Sequence, residues 1–299
     1  MTAFILLIFC LALGVLVARY ARPPMGLAQG LNWWVINIAL PALILDLIPR
    51  LHPDSRIWFL AVSQWGVFFG AWLLFAVLGK RLGWSRGRIG AVVLVCGLGN
   101  TSFMGYPMIE ALQGREGLAF GVLADQLGTF IMLAVMGVIV SAIYSGGRAK
   151  PLEIAKRVLL FPSFVALVLG TLVGISGGWP ETIEPVLAKI GGTLTPLALF
   201  SVGLRFRLHL GGGQTVPLLL GLGWKLLLAP ALVLGFGVAT GISGLMLTIG
   251  VLQAAMAPMI SAAILADQHN LEPPLANTIL GVGILLSLVS VPLWSYALG

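Results

Sequence analysis

The chain has 299 residues, of which 59% are hydrophobic and only 9% are charged, with a formal net charge of +7. A soluble domain carries roughly 25% charged residues, so this chain cannot cover itself with a water-compatible surface, and lipid must form part of its solvent. The composition therefore excludes a soluble enzyme, and it excludes the nucleic-acid partner that such a basic balance would indicate in a soluble protein.

The apolar residues fall into long runs separated by short connections. A helix needs about 20 such residues to cross a hydrocarbon core of roughly 30 Å. Unpaired backbone groups are not tolerated against lipid, and no segment alternates like a barrel strand, so all spans are predicted to be helical. The predicted fold class is an all-α polytopic membrane protein with ten transmembrane helices. They are placed at residues 3–18, 31–48, 57–79, 89–113, 117–143, 153–175, 186–204, 215–239, 244–268 and 273–297.

The basic residues are distributed unevenly between the loops, and this asymmetry predicts the orientation. The loops after odd-numbered spans contain Arg19, Arg22, Lys80, Arg81, Arg86, Arg88, Arg148, Lys150, Lys156, Arg157, Arg205 and Arg207. The loops after even-numbered spans contain only Arg50, Arg56 and Arg115. The odd loops are therefore predicted to be cytoplasmic and both termini non-cytoplasmic, in an integral protein of the bacterial inner (cell) membrane.

Two proline-containing motifs occur twice in the chain. The second span has "NIALPALILDL" and the seventh has "GGTLTPLALFSVGL", so that Pro41 and Pro196 take the same place. The fourth span has "YPMIEAL" and the ninth has "APMISAAIL", with the same tripeptide at Pro107 and Pro258. We interpret residues 1–146 and 152–299 as two five-helix repeats. Because five is odd, the second repeat enters the membrane from the opposite side, and carriers of this kind bind substrate where their interrupted helices meet.

The stretch "GNTSFMGYPMIEAL" interrupts the fourth apolar span. Glycine and short polar side chains weaken a helix, and Pro107 removes an amide donor. The span is therefore predicted to be two half-helices, with Pro107 in the first turn of the second. Free amides, a positive helix end and the side chains of Asn100, Thr101 and Ser102 predict a site for an anion such as a carboxylate. The alternative is that these three side chains bond locally and only repair a kink.

The ninth span contains a less polar counterpart, "LQAAMAPMIS", in which Gln253 and Ser261 flank Pro258. With Asn100, Thr101, Ser102, Pro107 and Gln126, these three residues form the predicted substrate-binding set. No metal-ligand spacing, nucleotide-binding loop or catalytic cluster is visible, so neither an enzyme nor a cofactor is predicted.

Ionisable residues lie deep in two other spans. Asp125, beside Gln126, and Lys225 are each about 12–13 Å from the start of their helices, near the middle of the hydrocarbon core. Such groups are costly unless paired or hydrated, and they usually mark a transport pathway. Lys225 is predicted to attract the anion, and Asp125 or Glu110 to take up a coupled proton. The alternative is a purely structural ion pair, for instance between Asp125 and Lys225.

Five motifs together resemble the auxin efflux carrier family over essentially the whole chain: "NIALPALIL", "GNTSFMGYPMIEALQGREGLAFGVLADQLG", "LTPLALFSVGLRFRL", "KLLLAPAL" and "QAAMAPMISAAILADQ". The resemblance implies an inverted repeat divided into scaffold and transport parts, with helices 4 and 9 crossing at Pro107 and Pro258. It also implies elevator-like alternating access for organic acids and a homodimer through the scaffold. Asn100 matches the asparagine of the crossover motif, Asp125-Gln126 the polar pair of the fifth helix, and Lys225 the basic residue before the proline of the eighth.

The predicted function is thus secondary transport of a small organic anion, with a proton as the coupling ion. The short loop between the halves sets the chain apart from plant auxin carriers. A sodium-coupled symporter with the bile-acid-transporter fold is an alternative, but the weakly polar break of the ninth span gives little support for bound sodium. A passive channel or a non-transporting membrane sensor is a further alternative.

Overall fold

A computed structural model describes residues 2–51, 55–148, 150–206 and 214–299. All regular elements in these ranges are helices, and no strand is formed there. The prediction of an all-α chain is therefore confirmed for the described residues. Arg207, one of the predicted cytoplasmic-loop charges, lies outside them.

The α-helices are α1 (Thr2–Leu16), α2 (Leu27–Trp34), α3 (Leu40–Leu47), α4 (Trp58–Arg81), α5 (Arg86–Gly97), α6 (Gly105–Leu123), α7 (Val138–Ser145), α8 (Pro151–Leu159), α9 (Pro162–Ile175), α10 (Glu184–Gly191), α11 (Leu194–Arg205), α12 (Thr215–Gly223), α13 (Ala229–Ala239), α14 (Gly244–Ala254), α15 (Ile260–Gln268) and α16 (Pro273–Leu298). Five π-helical turns continue some of these helices: Val17–Ala21, Val35–Ala39, Ala124–Thr129, Met132–Gly137 and Trp224–Leu228. Two 3₁₀ turns, Ile48–Arg50 and Ser55–Ile57, complete the helical structure of the described residues.

Within the described residues, six helical runs are long and apolar enough to cross a membrane: Leu27–Arg50, Ser55–Arg81, Gly105–Ser145, Glu184–Arg205, Thr215–Ala239 and Pro273–Leu298. This number is smaller than the ten predicted spans because other apolar segments are shorter or interrupted, such as Ile5–Ala21, Pro162–Ile175 and Gly244–Ala254. In addition, the run Gly105–Ser145 covers parts of two predicted spans and bends at Gly114, whose φ is 69°. Ten membrane crossings therefore stay a prediction.

The chain divides into two compact units, of which the first contains Met1–Ser55, Ser102–Val122 and Lys156–Phe206. In this unit α1 packs closely against α11. A Cβ atom on Gly14 would lie 2.3 Å from the carbonyl oxygen of Phe200, and one on Gly203 would lie 2.3 Å from that of Leu11. The two backbones therefore touch at these glycines, which is how small residues bring membrane helices together.

The second unit contains Arg56–Thr101, Leu123–Ala155 and Arg207–Gly299. Its α5 packs against α4, α15 and α16. The guanidinium of Arg88 binds Glu272 in a bidentate manner, with Nε donating to Oε2 at 2.9 Å and Nη2 to Oε1 at 2.6 Å. The hydrogen bond to Glu272 raises the pKa of Arg88. This ion pair joins the start of α5 to the residue that precedes α16.

Candidate functional site

Two interrupted helices of the second unit meet through their backbones. Helix α5 ends at Gly97 and α14 ends at Ala254. Beyond these ends, the N–H of Asn100 donates to the carbonyl of Ala257 at 2.7 Å, and the N–H of Met259 donates to the carbonyl of Leu98 at 3.1 Å. We call residues 98–101 and 257–259 the backbone junction.

The junction provides hydrogen-bond partners for backbone groups that the broken helices leave unpaired. Leu98 and Met259 are extended, with ψ angles of 127° and 130°, and the carbonyl of Leu98 and the N–H of Met259 pair with one another and not within a helix. Gly99 and Pro258 stand opposite one another in an isolated antiparallel bridge. Because unpaired backbone groups are costly in a membrane interior, each segment needs the other.

Lys225 lies in the π-helical turn Trp224–Leu228, directly before α13. Proline at position 230 has no N–H to give to the carbonyl of Leu226, four residues earlier. That carbonyl instead accepts a hydrogen bond from the indole of Trp294 at 2.9 Å. Such π-helical turns occur frequently at functional sites, and here the turn carries a lysine.

The ammonium group of Lys225 is fully buried beside the junction. Its Nζ donates to the carbonyl of Ala254, the last residue of α14, at 3.0 Å. The negative end of a helix dipole favours a cation at this place. A Cβ atom on Gly99 would lie 2.9 Å from Nζ, so glycine at this position makes room for the lysine. Among the described residues, only Ala254 accepts a hydrogen bond from Lys225, although an ammonium has three N–H groups.

Asp125 and its neighbours form a buried polar chain that leads to the junction. The hydroxyl of Thr101 donates to Oδ1 of Asp125, and the side-chain amide of Gln126 donates to Oδ2 at 2.8 Å. From the ninth predicted span, Nε2 of Gln253 donates to the carbonyl of Thr101 at 3.4 Å. All four side chains are at most 2% exposed. The structure thus brings these four predicted site residues together with Lys225 in one unit, and Lys225 does not donate to Asp125.

Asn100 adds a donor at the same place. Its side chain is 2% exposed, and Nδ2 has no hydrogen-bond partner among the residues that the structure describes. An unsatisfied buried amide costs about 1–3 kcal/mol, so Nδ2 is suited to an acceptor on a ligand. Ser261 is partly buried at the second position of α15, following Pro258 by three residues.

Three predicted site residues belong to the first unit. Ser102 is half-buried, and Pro107 is buried in the first turn of α6. Glu110 accepts a hydrogen bond from the hydroxyl of Thr195 at 3.2 Å. Pro107 and Glu110 line a cavity of about 230 Å³, which Pro196 also lines.

The sequence analysis selected Glu110 but not Asp46 and Arg115, two further charged residues that line this cavity. Asp46 accepts hydrogen bonds from Nη2 of Arg50, at 2.9 Å, and from Nη2 of Arg115. Arg50 also lies 3.2 Å from a carboxylate oxygen of Glu184. The pattern offers one signal, since Arg115 directly follows Gly114 in "QGREG", a glycine with a φ of 69° that interrupts the helix. The partner, Asp46, is 69 positions distant and could not be identified from spacing.

The arrangement at the junction favours a negatively charged ligand. A buried ammonium and the Nδ2 donor of Asn100 lie in a segment where backbone and helix ends meet, and charge-assisted hydrogen bonds are about twice as strong as neutral ones. In the described part of the chain, no group of three or more His, Cys, Asp and Glu residues is placed to hold a metal ion.

Comparisons with known proteins find similarity to membrane transporters over nearly the whole chain. The model of a family described as "Membrane transport protein" matches residues 1–295. An "Uncharacterized transporter" of Methanothermobacter thermautotrophicus is 30% identical over 91% of this chain and 89% of its own length. "Uncharacterized transporter MJ1031" of Methanocaldococcus jannaschii is 26% identical, over 91% of this chain and 90% of its own. "Uncharacterized transporter YfdV" of Escherichia coli K12 is 25% identical, over 90% and 88%.

Proposed function

Because the chain belongs to this family of membrane transport proteins, we propose that it is a secondary transporter that moves a small organic carboxylate across the membrane. The family also confirms the resemblance found in the sequence motifs, and it identifies a membrane transporter and not an enzyme. The observation that carries the proposal is the fully buried ammonium of Lys225 beside the backbone junction, close to the unpartnered amide of Asn100.

The carboxylate binds at the junction in this proposal. Lys225 supplies the charge, and the amide of Asn100 supplies a directed donor. Thr101, Gln126 and Gln253 form the polar chain that leads from Asp125 to this place, and Pro258 keeps its segment non-helical. Ser261 adds a hydroxyl to the polar lining. Ser102 and Pro107, which belong to the first unit, stay predicted members of the substrate-binding set.

The transport mechanism we propose is elevator-like alternating access in a ten-helix inverted repeat, with helices 4 and 9 crossing at their breaks. The division of the chain into two compact units supports this mechanism, because an elevator needs one part that moves as a body while another stays fixed. Each unit draws on residues from both halves of the chain, as expected when a repeat contributes helices to two functional parts. The distribution of basic residues supports an inner-membrane location with both termini outside the cytoplasm.

A proton is the proposed coupling ion. Asp125 is buried in the membrane interior, and its described hydrogen bonds come from the neutral donors Thr101 and Gln126. An ionisable side chain inside the membrane usually belongs to a substrate or proton pathway. Protonated Asp125 would remove a negative charge close to the bound anion, which links proton uptake to anion binding. Glu110, beside Thr195, is a second group for the proton path.

The proposal is tested by melting the purified protein with a panel of mono- and dicarboxylates, at two pH values and with or without sodium. A ligand that binds the folded state raises the melting temperature. At least one carboxylate is expected to do so without sodium. Lys225→Met is expected to weaken this binding roughly 30-fold or more, because removing one member of a buried charge pair costs 2 kcal/mol or more.

Lys189→Met is the matched control, because Lys189 is an exposed lysine of α10. It should bind the carboxylate like the wild type. Stabilisation by neutral compounds alone would contradict the proposal, as would equal carboxylate binding by folded Lys225→Met. A sodium requirement would favour the symporter alternative.

A further inference from the structure

A groove lies between α4 and α13 in the second unit. It has a cavity volume of about 240 Å³. Its walls include Val62, Ser63 and Gly66 of α4 and Leu232, Val233 and Phe236 of α13, and Trp224 completes the lining. None of the predicted substrate-binding residues lines it, so it is a separate feature from the backbone junction.

Apolar side chains at the mouth of the groove are exposed. Leu232 is 54% exposed, Phe236 38% and Val62 36%. These residues belong to Ser55–Arg81 and Thr215–Ala239, two of the runs that are long and apolar enough to cross a membrane. Exposed apolar side chains in such runs face lipid. A molecule that enters the groove therefore comes from the bilayer and not from water.

Trp224, one of the residues that line the groove, has an indole N–H without a described partner. Trp224 is 6% exposed, and its Nε1 has no hydrogen-bond partner among the described residues. Indoles elsewhere in the chain donate to the protein at distances of 2.8–3.3 Å, namely those of Trp34, Trp65, Trp72, Trp179 and Trp294. A buried donor left unpaired costs about 1–3 kcal/mol. The hydroxyl of Ser63 already donates to the carbonyl of Leu60 at 3.1 Å. The indole N–H of Trp224 is therefore the donor that remains for a ligand with an acceptor atom.

The walls of the groove are held in place before any ligand binds. The ring of Trp224 lies against Gly70 of α4, where a Cβ atom would come within 2.6 Å of the ring. The ring of Phe236 packs on those of Trp58 and Phe59, with centroid distances of 6.0 and 5.9 Å. A dry apolar cavity of about 150 Å³ is enough to bind benzene, so this groove has room for a bicyclic aromatic or a branched chain of similar size.

We propose that the groove binds a membrane-dissolved apolar molecule that carries one carbonyl oxygen. The oxygen accepts the N–H of Trp224, and the hydrocarbon part lies between α4 and α13. A carboxylate does not fit, because no cationic side chain lines the groove. The site goes beyond the proposed transport function, since its ligand differs in charge and in the phase from which it enters.

The test compares two probes of nearly equal shape, 2-acetylnaphthalene and 2-isopropylnaphthalene, of which only the first has a carbonyl. Their dissociation constants are measured from melting curves of the full-length protein in one detergent. The ketone is expected to bind the wild type roughly fivefold more tightly, as one net hydrogen bond predicts. Equal binding of the two probes would overturn the proposal and would mean that the indole makes no bond to the ligand.

Two variants locate the binding. Gly66→Leu fills the groove without a backbone clash, because a Cβ atom there meets nothing within 4 Å; it should weaken both probes at least tenfold. Gly235→Leu is the matched control on α13, where a Cβ atom also meets nothing within 4 Å, and it should bind like the wild type. If folded Gly66→Leu binds like the wild type, the ligand does not occupy the groove.

Trp224→Phe keeps an aromatic ring and removes the donor. Both probes should still bind, and the preference for the ketone should disappear. This conservative variant gives a result even where Gly66→Leu fails to fold, as judged by size-exclusion chromatography. A preference that persists in Trp224→Phe would contradict the role of the indole. None of these measurements needs a carboxylate, so the outcome is independent of the proposed transport function.

Discussion

Both compact units bury ionisable side chains, and Asp46 of the first unit and Lys225 of the second meet different partners. In the first unit the carboxylate of Asp46, 1% exposed, accepts hydrogen bonds from the guanidinium groups of Arg50 and Arg115. In the second unit the ammonium of Lys225, fully buried, donates to a single backbone carbonyl. Among the described residues, arginines neutralise the first charge, and no carboxylate forms an ion pair with the second.

This difference separates a structural charge from a functional one. A buried charge that the protein neutralises holds helices together, whereas a buried cation without a counterion is costly unless a ligand or proton movement accompanies it. Burial alone therefore does not identify a binding site. The number and charge of the partners distinguish the two cases, and the following variants test that distinction.

Removal of the structural carboxylate is expected to have the largest effect on stability. Asp46→Asn removes the carboxylate that accepts from both Arg50 and Arg115 and leaves Arg50 with Glu184. Because two charge-assisted hydrogen bonds are weakened, we expect the free energy of unfolding to fall by about 3 kcal/mol. The measurement is the melting temperature in detergent. Asp267→Asn, an exposed aspartate of α15, is the control and should melt like the wild type. Equal melting temperatures of Asp46→Asn and wild type would contradict the structural role of the Asp46 carboxylate.

Displacement of the functional cation should weaken ligand binding more than folding. The methyl group of Gly99→Ala would lie 2.9 Å from Nζ of Lys225 and would push the ammonium aside. A displaced ammonium loses its charge-assisted hydrogen bond to the carboxylate, worth about 2 kcal/mol, which corresponds to a roughly 30-fold loss of carboxylate affinity. Gly235→Ala, whose new Cβ meets nothing within 4 Å, is the control. An unchanged affinity in folded Gly99→Ala would place the anion elsewhere.

Asp125→Asn tests whether the carboxyl next to the junction carries the coupled proton. In the wild type, carboxylate affinity should fall as pH rises, because deprotonated Asp125 repels the anion. The variant resembles the protonated form, so it should bind roughly fivefold more tightly at high pH, an effect of about 1 kcal/mol, and lose the pH dependence. Binding titrations at several pH values decide this. A pH dependence identical to that of the wild type would exclude Asp125 as the proton carrier.

A peripheral ion pair should have the smallest effect. Arg88→Gln removes the bidentate contact with Glu272. The side chain of Arg88 is 29% exposed and that of Glu272 is 22% exposed. The expected loss is about 0.5–1 kcal/mol of stability, smaller at high salt, with carboxylate binding unchanged. The exposed pair of Lys150 and Glu153 provides the control, and Lys150→Gln should not change the melting temperature. A loss of carboxylate binding in Arg88→Gln would show that peripheral charges also act on the site.

Several site residues could be selected from the sequence because their chemistry is anomalous where they stand. Lys225 and Asp125 are ionisable residues in apolar spans, and Asn100 lies among glycines before a proline. Asp46 was not selected, because its position near a span end allowed it to reach the membrane interface. The network that it forms with Arg115 depends on a contact across 69 positions, which no local pattern encodes.

The groove at Trp224 could not be predicted for a related reason. Tryptophan and glycine are common in membrane helices, so neither Trp224 nor Gly66 stands out in the sequence. An unpaired indole is recognised only when all its neighbours are known. The π-helical turn that contains Trp224 and the buried Lys225 is likewise recognised only in the tertiary structure.

The sequence alone determined that the chain is helical and membrane-bound, where its apolar segments are interrupted, and which family it resembles. These properties follow from local chemistry: hydropathy, the missing donor of proline and the weak helix propensity of glycine and short polar residues. Only the tertiary structure decided which backbone groups of the broken helices pair with one another. It also decided that Lys225 donates to a carbonyl and not to Asp125, and that arginines neutralise Asp46. Those outcomes depend on which distant segments pack together, because the free energy of a buried charge is set by neighbours that the chain order does not specify.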